Sequence, residues 1–197
     1  MGYEKEKLQE KILIFLYVIY HTSKSININT FKRYLYLYYF TSSFFNKNTE
    51  DIKIILNKGD IKITYFEEAI EDFIMNEYLY ENENSFVVND VLVDSVSHIL
   101  EGKDGEKGSL FSLYREINPF VNLLNSYDDQ LIFTIFFSEP TFREAHERNL
   151  EKINSSSSIL VKLLNRFKES IENKNIDDYD ILTYWMDFIL KNYYKNR

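Results

Sequence analysis

The sequence contains no cysteine, and its 197 residues include only five glycines and two prolines. Without cysteine the chain has no disulfide, no thiolate metal site and no cysteine nucleophile. This fits a protein of the cytoplasm, where we expect it to be located. Because glycine and proline are the residues that most often end helices, their scarcity predicts a mainly helical protein.

A long hydrophobic run is also missing. The most apolar stretch, residues 12–20, has nine residues, whereas a helix that spans a bilayer needs about 20. It follows several Glu and Lys residues and lacks the small-residue cleavage site of a signal peptide. We interpret this stretch as a buried helix, and we expect no contact with a membrane.

The common catalytic and metal-binding motifs are absent as well. The three histidines lie in separate elements without metal-ligand spacing: His21, His98 and His146. Three glycines lie in a charged stretch without the Lys-Ser or Lys-Thr of a phosphate-binding loop: Gly102, Gly105 and Gly108. We expect no catalytic residues, no bound metal and no cofactor, so the chain is not predicted to be an enzyme.

Two pairs of neighbouring carboxylates need a separate explanation. Asp128 and Asp129 precede one predicted helix, and Asp177 and Asp178 precede another. Aspartate is a preferred helix N-cap because its side chain accepts hydrogen bonds from the first backbone amides. We interpret both pairs as caps rather than as metal ligands.

The hydrophobic content, 45% of all residues, is sufficient for a packed core, and 17% of the residues are aromatic. A first helix is predicted over residues 4–22, and its broad apolar face includes Leu8, Ile12 and Phe15. A second helix is predicted from Thr30 to about Phe45, with Asn29 as its cap. Tyrosines occur on every side of this second helix, and tyrosine is enriched at protein interfaces.

The segment from Asp51 to Leu100 combines strand and helix signals in a recognisable order. Thr64 and Glu67 fit a capping box at the start of a helix. The predicted elements are strand, helix, hairpin and helix, at residues 52–56, 66–74, 78–88 and 91–100. This order predicts a winged-helix-like module. Together with the two helices that precede it, this module is predicted to form a domain over residues 1–100.

The charge of this module opposes a role in binding DNA. Between Glu67 and Glu106 there are twelve acidic residues and one base, Lys103. The predicted recognition helix itself contains Glu67, Glu68 and Glu71, which would repel phosphates. Residues 24–66 have a net charge of +4, so any DNA contact is expected to be indirect or to use this weak basic patch. We therefore expect the module to bind proteins.

The glycine-rich stretch at residues 101–108 is interpreted as a linker between two domains. Pro119 is expected to kink or restart a helix, and Pro140 with Thr141 is expected to start another. Residues 109–197 are predicted to form an all-helical domain. The complete prediction is a mainly α protein with a small β hairpin, in which a winged-helix-like module is followed by a helical bundle.

The segment from Asp128 to Ala145, DDQLIFTIFFSEPTFREA, contains an apolar helix followed by an acidic residue, proline and an aromatic residue. Together with the apolar first helix, the aromatic second helix and the winged-helix-like unit, it resembles the middle component of bacterial three-component ABC-ATPase systems. This family includes the small subunit of Lamassu-type antiphage defence.

The resemblance implies an accessory subunit without catalysis of its own. Its implied partners are an SMC-like ATPase, whose heads it bridges or closes, and an effector nuclease, which it helps to hold inactive until foreign DNA is sensed. The candidate partner-binding residues are Leu8, Ile12, Phe15, Tyr34, Tyr38, Glu67, Glu68, Glu71, Phe137 and Phe142. A role in the core is the alternative for Tyr34, Tyr38, Phe137 and Phe142.

Two other functions remain open at the level of sequence. A winged-helix transcription regulator would bind operator DNA with a steep dependence on salt, although the acidic helix opposes this. A toxin–antitoxin component or a phage-encoded inhibitor would bind one tight partner without any ATPase.

Overall fold

The computed structural model describes residues 2–45, 51–57, 60–101, 108–171 and 176–195. The described helices are α1 (Gly2–Tyr20), α2 (Ile28–Thr41), α3 (Phe66–Met75), α4 (Asp90–Glu101), α5 (Ser109–Asn125), α6 (Asp129–Ser138), α7 (Pro140–Glu147), α8 (Ile159–Ser170) and α9 (Asp178–Lys195). The described strands are β1 (Ser25–Asn27), β2 (Lys53–Asn57), β3 (Asp60–Ile63), β4 (Leu79–Asn82), β5 (Ser85–Val88) and β6 (Lys152–Asn154). The predicted class, mainly α with a small β hairpin, is confirmed. None of the helices in these ranges has both the length and the apolar character needed to cross a membrane.

The chain divides into two compact units, and each is built from two separate stretches of sequence. The first unit contains residues 1–31 and 65–126, and the second contains residues 32–64 and 127–197. This composition differs from the predicted domains at 1–100 and 109–197. Most of the predicted linker, residues 102–107, lies outside the described residues.

In the first unit, α1 packs against α5, α4 and α3. The broad apolar face of α1 explains why α5 belongs here rather than to the second domain as predicted. A stripe as wide as that of α1 must be covered on more than one side, because each exposed apolar side chain loses the free energy of burial.

A three-stranded antiparallel sheet in the order β1-β5-β4 completes the first unit. The β4–β5 hairpin is the predicted wing, and Leu79 pairs with Val88 at its open end. The first strand of the module is β1, not the predicted residues 52–56. Strand, helix, hairpin and helix therefore occur in the predicted order, but a different segment supplies the strand.

The predicted capping box at α3 is not formed. The N-cap residue is Tyr65, whose φ of 66° places it in the left-handed region, and its side chain makes no capping hydrogen bond. The Thr64 hydroxyl instead donates to the carbonyl oxygen of Lys53 at 3.5 Å. The predicted cap of α2 is also displaced, because the Asn27 side chain, rather than that of Asn29, accepts from the first amides of the helix.

The second unit contains its own antiparallel sheet, in the order β3-β2-β6. In this sheet Ile54 lies opposite Ile63 on one side and opposite Ile153 on the other. Residues 109–197 are therefore not all helical as predicted, because the short segment β6 pairs with the edge of the β2–β3 hairpin and satisfies its backbone groups there. The sequence Asn57-Lys58-Gly59-Asp60 predicts a turn, and its two central residues lie outside the described residues.

Three helix starts of the second unit follow capping residues predicted from the sequence, which are the two aspartate pairs and, for α8, the run of four serines at residues 155–158. Asp128 accepts a hydrogen bond from the backbone amide of Leu131 at 2.8 Å at the start of α6. Asp177 accepts from the amide of Tyr179 at 2.7 Å at the start of α9, and Ser158 accepts from Val161 at the start of α8. Local capping chemistry thus fixed these boundaries correctly.

Candidate functional site

The predicted partner-binding residues separate into an interior group and an exposed group. Six of them are buried with at most 4% of their surface exposed: Leu8, Ile12, Phe15, Tyr34, Tyr38 and Phe142. These six are core residues in this conformation, which corrects their proposed role as surface anchors. The physical reason is that their helices are covered by neighbouring elements on the apolar side. Phe137 is half-buried, and Glu67, Glu68 and Glu71 are exposed.

The three exposed glutamates lie on α3, and we call this surface the acidic face of α3. The opposite side of the helix is fixed in the core by Phe66, Ala69, Ile70 and Phe73. The helix is held to α1 by Asp72, which accepts from the Lys5 ammonium at 2.6 Å and from the Gln9 amide at 2.7 Å. The hydrogen bond from Lys5 lowers the pKa of Asp72.

The surroundings of the acidic face of α3 are also acidic, and they include two exposed apolar side chains. Glu81 and Glu83 are exposed on the wing, together with Tyr80, and Met75 is exposed at the end of α3. Between Glu67 and Glu101 the sequence has ten Asp or Glu residues and no Lys or Arg. Such a surface repels phosphates and suits a partner with basic side chains.

A polar network lies inside the second unit, around Glu139. This carboxylate is fully buried. It accepts hydrogen bonds from the Tyr36 hydroxyl at 2.5 Å, from the Thr141 hydroxyl at 2.7 Å and from the Phe142 amide at 2.7 Å. Burial raises the pKa of Glu139 and places the pKa of Tyr36 well above its ordinary value.

This network caps one helix and joins elements of the second unit. Glu139 is the N-cap of α7 and precedes Pro140 at the first helical position. The Thr141 hydroxyl continues the network by accepting from the Ile159 amide at 2.9 Å, so that α2, α7 and α8 are connected through polar groups. Glu139 is enclosed, and its hydrogen bonds cap α7 and join this helix to Tyr36 of α2.

An apolar groove lies between α8 and α9 in the second unit, with a volume of about 700 Å³. Its lining is entirely apolar or aromatic: Leu163, Leu164, Phe167, Ile171, Ile176, Tyr184, Trp185 and Phe188. Four of these side chains are 42–61% exposed: Leu163, Phe167, Tyr184 and Phe188. The apolar spacing of residues 181–189 predicts that Phe188 faces the interior, but Phe188 is 61% exposed, so this prediction is wrong.

The error has a physical cause. An apolar stripe in a sequence indicates which side chains are expected to be buried. It does not indicate whether they are buried by the same chain or by another molecule. In α8 the buried positions are Leu160 and Leu164, while Leu163 and Phe167 on the same stripe stay open. Large apolar side chains that are exposed together, unlike scattered ones, mark interaction sites.

The described residues contain no group of three or more His, Asp or Glu side chains arranged to hold a metal ion. The two surfaces that the structure presents are therefore the acidic face of α3 and the apolar groove between α8 and α9. Both suit binding of another protein.

Comparison with known proteins identifies no family for this chain. No family model matches the sequence, and no solved structure matches it. Over an alignment of 131 residues, the sequence is 26% identical to the phenylalanine–tRNA ligase beta subunit of Mycoplasma mycoides subsp. mycoides SC. The match includes 57% of this chain and spans 16% of that protein. A similarity of this extent does not transfer the ligase's activity to the chain.

Proposed function

We propose that this protein is a non-catalytic accessory subunit that binds an SMC-like ABC ATPase and helps to control an associated effector nuclease in antiphage defence. The proposal combines the family resemblance with the surface of the first unit. The observation on which it depends most is the acidic face of α3, which is exposed, rigidly supported and bordered by apolar side chains.

The chemistry of that face supports docking to a protein with basic side chains. Glu67, Glu68 and Glu71 lie on one helix within two turns, so their charges act on a partner together. The exposed side chains of Met75 and Tyr80 add apolar area beside them. Charge complementarity selects and orients the partner, and burial of the apolar area adds affinity.

The test is recovery of the complex from the native host. The chain is purified with an affinity tag and size exclusion, and its partners are identified by mass spectrometry. We expect an SMC-like ATPase in fixed stoichiometry. The triple variant Glu67→Lys, Glu68→Lys and Glu71→Lys should lose this ATPase, because charges that attract the partner become charges that repel it.

A matched control separates the acidic face of α3 from net charge. The variant Glu147→Lys, Glu151→Lys and Glu169→Lys changes three exposed carboxylates of the second unit and has the same change in total charge. It should retain the ATPase. If the wild-type chain is recovered without an ATPase, the proposed function is wrong, and if both variants behave alike, the acidic face of α3 is not the docking surface.

A winged-helix regulator is the alternative, and the order of strand, helix, hairpin and helix in the first unit favours it. Direct reading of DNA by α3 requires positive charge where this helix is acidic. Fluorescence anisotropy with host promoter fragments at moderate salt decides between the two functions. Specific binding that falls steeply as salt rises would support the regulator.

A further inference from the structure

The outer face of the β3-β2-β6 sheet in the second unit contains one lysine from each of its three strands. Successive side chains of a strand point to opposite faces of a sheet, and the inner face is defined by the buried residues Ile54, Ile61, Ile63 and Ile153. On the outer face Ile55 pairs with Lys62 on one side and with Lys152 on the other. Lys53 lies two residues before Ile55 on the same strand. All three lysines are exposed, and we call them the basic sheet face.

Strand pairing brings these three charges together. The sequence predicted a weak basic patch within residues 24–66, which includes Lys53 and Lys62, and β6 adds Lys152 from a distant part of the chain. Because neighbouring strands lie about 4.8 Å apart, the backbones of Lys62 and Lys152 are about 10 Å apart, with Ile55 between them. One extended ligand can therefore contact all three ammonium groups.

Three acidic residues lie at the ends of these strands: Asp51, Asp60 and Glu151. Asp51 accepts hydrogen bonds from the amide and the hydroxyl of Ser156, both at 2.9 Å. The charge of Asp60 acts on the guanidinium of Arg33. Glu151 is adjacent to Lys152 in sequence, so the alternation of the strand directs it to the opposite face. The charged side chains next to Ile55 on the outer face are therefore lysines, and none of the salt bridges between described residues involves them.

The composition of the basic sheet face favours a phosphate backbone as its ligand. Lysine binds phosphate as a point charge and needs no fixed geometry. Protein interfaces are instead enriched in arginine and aromatic residues and depleted in lysine, and the described outward positions of this sheet include no arginine or aromatic side chain. Platforms for single strands stack the bases on aromatic side chains, so this face suits a duplex, whose phosphates are exposed and whose bases are stacked inside.

The net charge of the chain, −8, does not prevent such a contact. At physiological ionic strength the Debye length is about 8 Å, so charges that lie farther away than this are largely screened. A phosphate on the basic sheet face is therefore attracted mainly by the lysines next to it.

We propose that the basic sheet face binds the phosphate backbone of duplex DNA, through Lys53, Lys62 and Lys152, without reading the base sequence. Three phosphate contacts give weak binding, with a dissociation constant at the weak end of the nonspecific range, about 10⁻⁴ M at physiological salt. This binding goes beyond the adaptor function proposed above and does not depend on it.

Fluorescence anisotropy with the full-length protein tests the proposal. The probes are two short fluorescein-labelled DNA duplexes of unrelated sequence. Both should bind with the same affinity, because phosphate contacts carry no sequence information. Neutralisation of three phosphates predicts a slope of about −2.7 in a plot of log affinity against log salt, so the affinity should fall about 40-fold between about 50 and 200 mM salt.

Two matched variants locate the contact. The variant Lys53→Gln, Lys62→Gln and Lys152→Gln should weaken binding at about 50 mM salt at least about tenfold and remove most of the salt dependence, since each lysine contributes about one unit of the slope. The control Lys162→Gln, Lys191→Gln and Lys195→Gln makes the same change in total charge at exposed positions on α8 and α9 and should leave affinity and slope unchanged. Circular dichroism checks that both variants are folded.

Several results would overturn this inference. They are absence of binding at about 50 mM salt, equal losses in the two variants, and tighter binding of single-stranded DNA or of double-stranded RNA than of duplex DNA. A strong preference for one duplex would also contradict it and would support the regulator. Recovery of the ATPase depends on the acidic face of α3, which these variants leave unchanged, so failure of this proposal and failure of the adaptor proposal give different results.

Discussion

At the scale of single residues, the most constrained group in this protein is the carboxylate of Glu139. A buried charge is costly unless hydrogen bonds compensate for the lost hydration. Here the Tyr36 hydroxyl, the Thr141 hydroxyl and the Phe142 amide all donate to it. Burial still dominates, because it raises the pKa of Glu139 in spite of these three donors.

Replacement of this carboxylate should be strongly destabilising. Glu139→Ala removes the cap of α7 and leaves three buried donors without an acceptor, so we expect a loss of about 3 kcal/mol or more in the free energy of unfolding. Urea unfolding followed by circular dichroism measures this loss. Glu151→Ala, at an exposed position, is the control and should change stability by less than about 0.5 kcal/mol.

The raised pKa of Glu139 also predicts a dependence on pH. The folded chain binds a proton at Glu139 more readily than the unfolded chain does. The stabilisation from protonation is therefore complete below the ordinary pKa of 4.5, and it is lost as the pH rises through the higher pKa of the folded state. Glu139→Gln cannot titrate, so its deficit relative to wild type should be larger near about pH 5 than near about pH 8.

Parallel urea titrations of the wild type and of Glu139→Gln at the two pH values measure this difference. The comparison cancels the other titrating groups, which are the same in both chains. A deficit that is independent of pH, or one that is larger at the higher pH, would show that Glu139 has no raised pKa in the folded protein.

At the scale of single elements, α5 differs most clearly from the structure that its local sequence predicts. Pro119 was expected to kink or restart the helix, and the helix does not restart, because α5 continues from Ser109 to Asn125 with Pro119 inside it. Proline within a helix removes one backbone hydrogen bond and crowds the preceding turn. Ile117, Phe120, Val121 and Leu124 are nevertheless buried on the inward side, so packing against α1 compensates for this defect.

A substitution at Pro119 should therefore stabilise the protein. The proline ring is exposed, and Pro119→Ala restores a backbone donor without removing core contacts. We expect a gain of about 1–3 kcal/mol, visible as a higher midpoint of thermal unfolding. Ser112→Ala, also exposed in α5, is the control for helix propensity alone and should change stability by a few tenths of a kcal/mol.

At α8, a single side chain, that of Ser158, defines the start of the helix. Ser158 is buried, accepts from the Val161 amide at 3.2 Å and donates to the carbonyl oxygen of Phe40 at 2.7 Å. It therefore both caps α8 and joins it to α2. Ser158→Ala should cost about 1–2 kcal/mol, whereas Ser112→Ala, which lacks such contacts, should not. A cost near zero in chemical denaturation would contradict the cap.

At the scale of the whole molecule, the two compact units are interleaved in the sequence. The chain passes from the first unit to the second within α2, returns after Thr64, and passes again after Ser126. Neither unit is therefore a continuous segment. The contacts that close each unit join residues distant in sequence, such as α1 with α5 and β2 with β6.

This connectivity predicts the behaviour of fragments. A fragment of residues 1–101 lacks α5 and leaves one side of α1 uncovered, and a fragment of residues 108–197 lacks β2, β3 and all of α2. We expect both to be poorly folded alone by two-dimensional NMR, and we expect co-expression to restore a folded complex. If each fragment gives a dispersed spectrum by itself, the continuous domains predicted from the sequence are correct instead.

The sequence by itself determined the features that depend on local chemistry. The scarcity of glycine and proline and the helical spacing of apolar residues were sufficient for the mainly α class. Side chains next to the helix starts were sufficient for the caps at Asp128, Asp177 and Ser158. The acidic character of α3 also follows directly from the sequence, because charges that lie close together on one helix remain together in any fold.

Only the tertiary structure decided which apolar faces are covered. The stripes of α1 and α8 look equivalent in sequence, yet Ile12 on α1 is buried in a unit where α5 packs against α1, while Leu163 and Phe167 on α8 remain exposed. The same limit applies to β6, which is too short to be predicted and forms only because the edge of β2 offers hydrogen-bond partners. Burial and strand pairing depend on residues that are far apart in the chain. Local sequence patterns therefore indicate that a side chain is expected to be buried, but they do not indicate which element buries it.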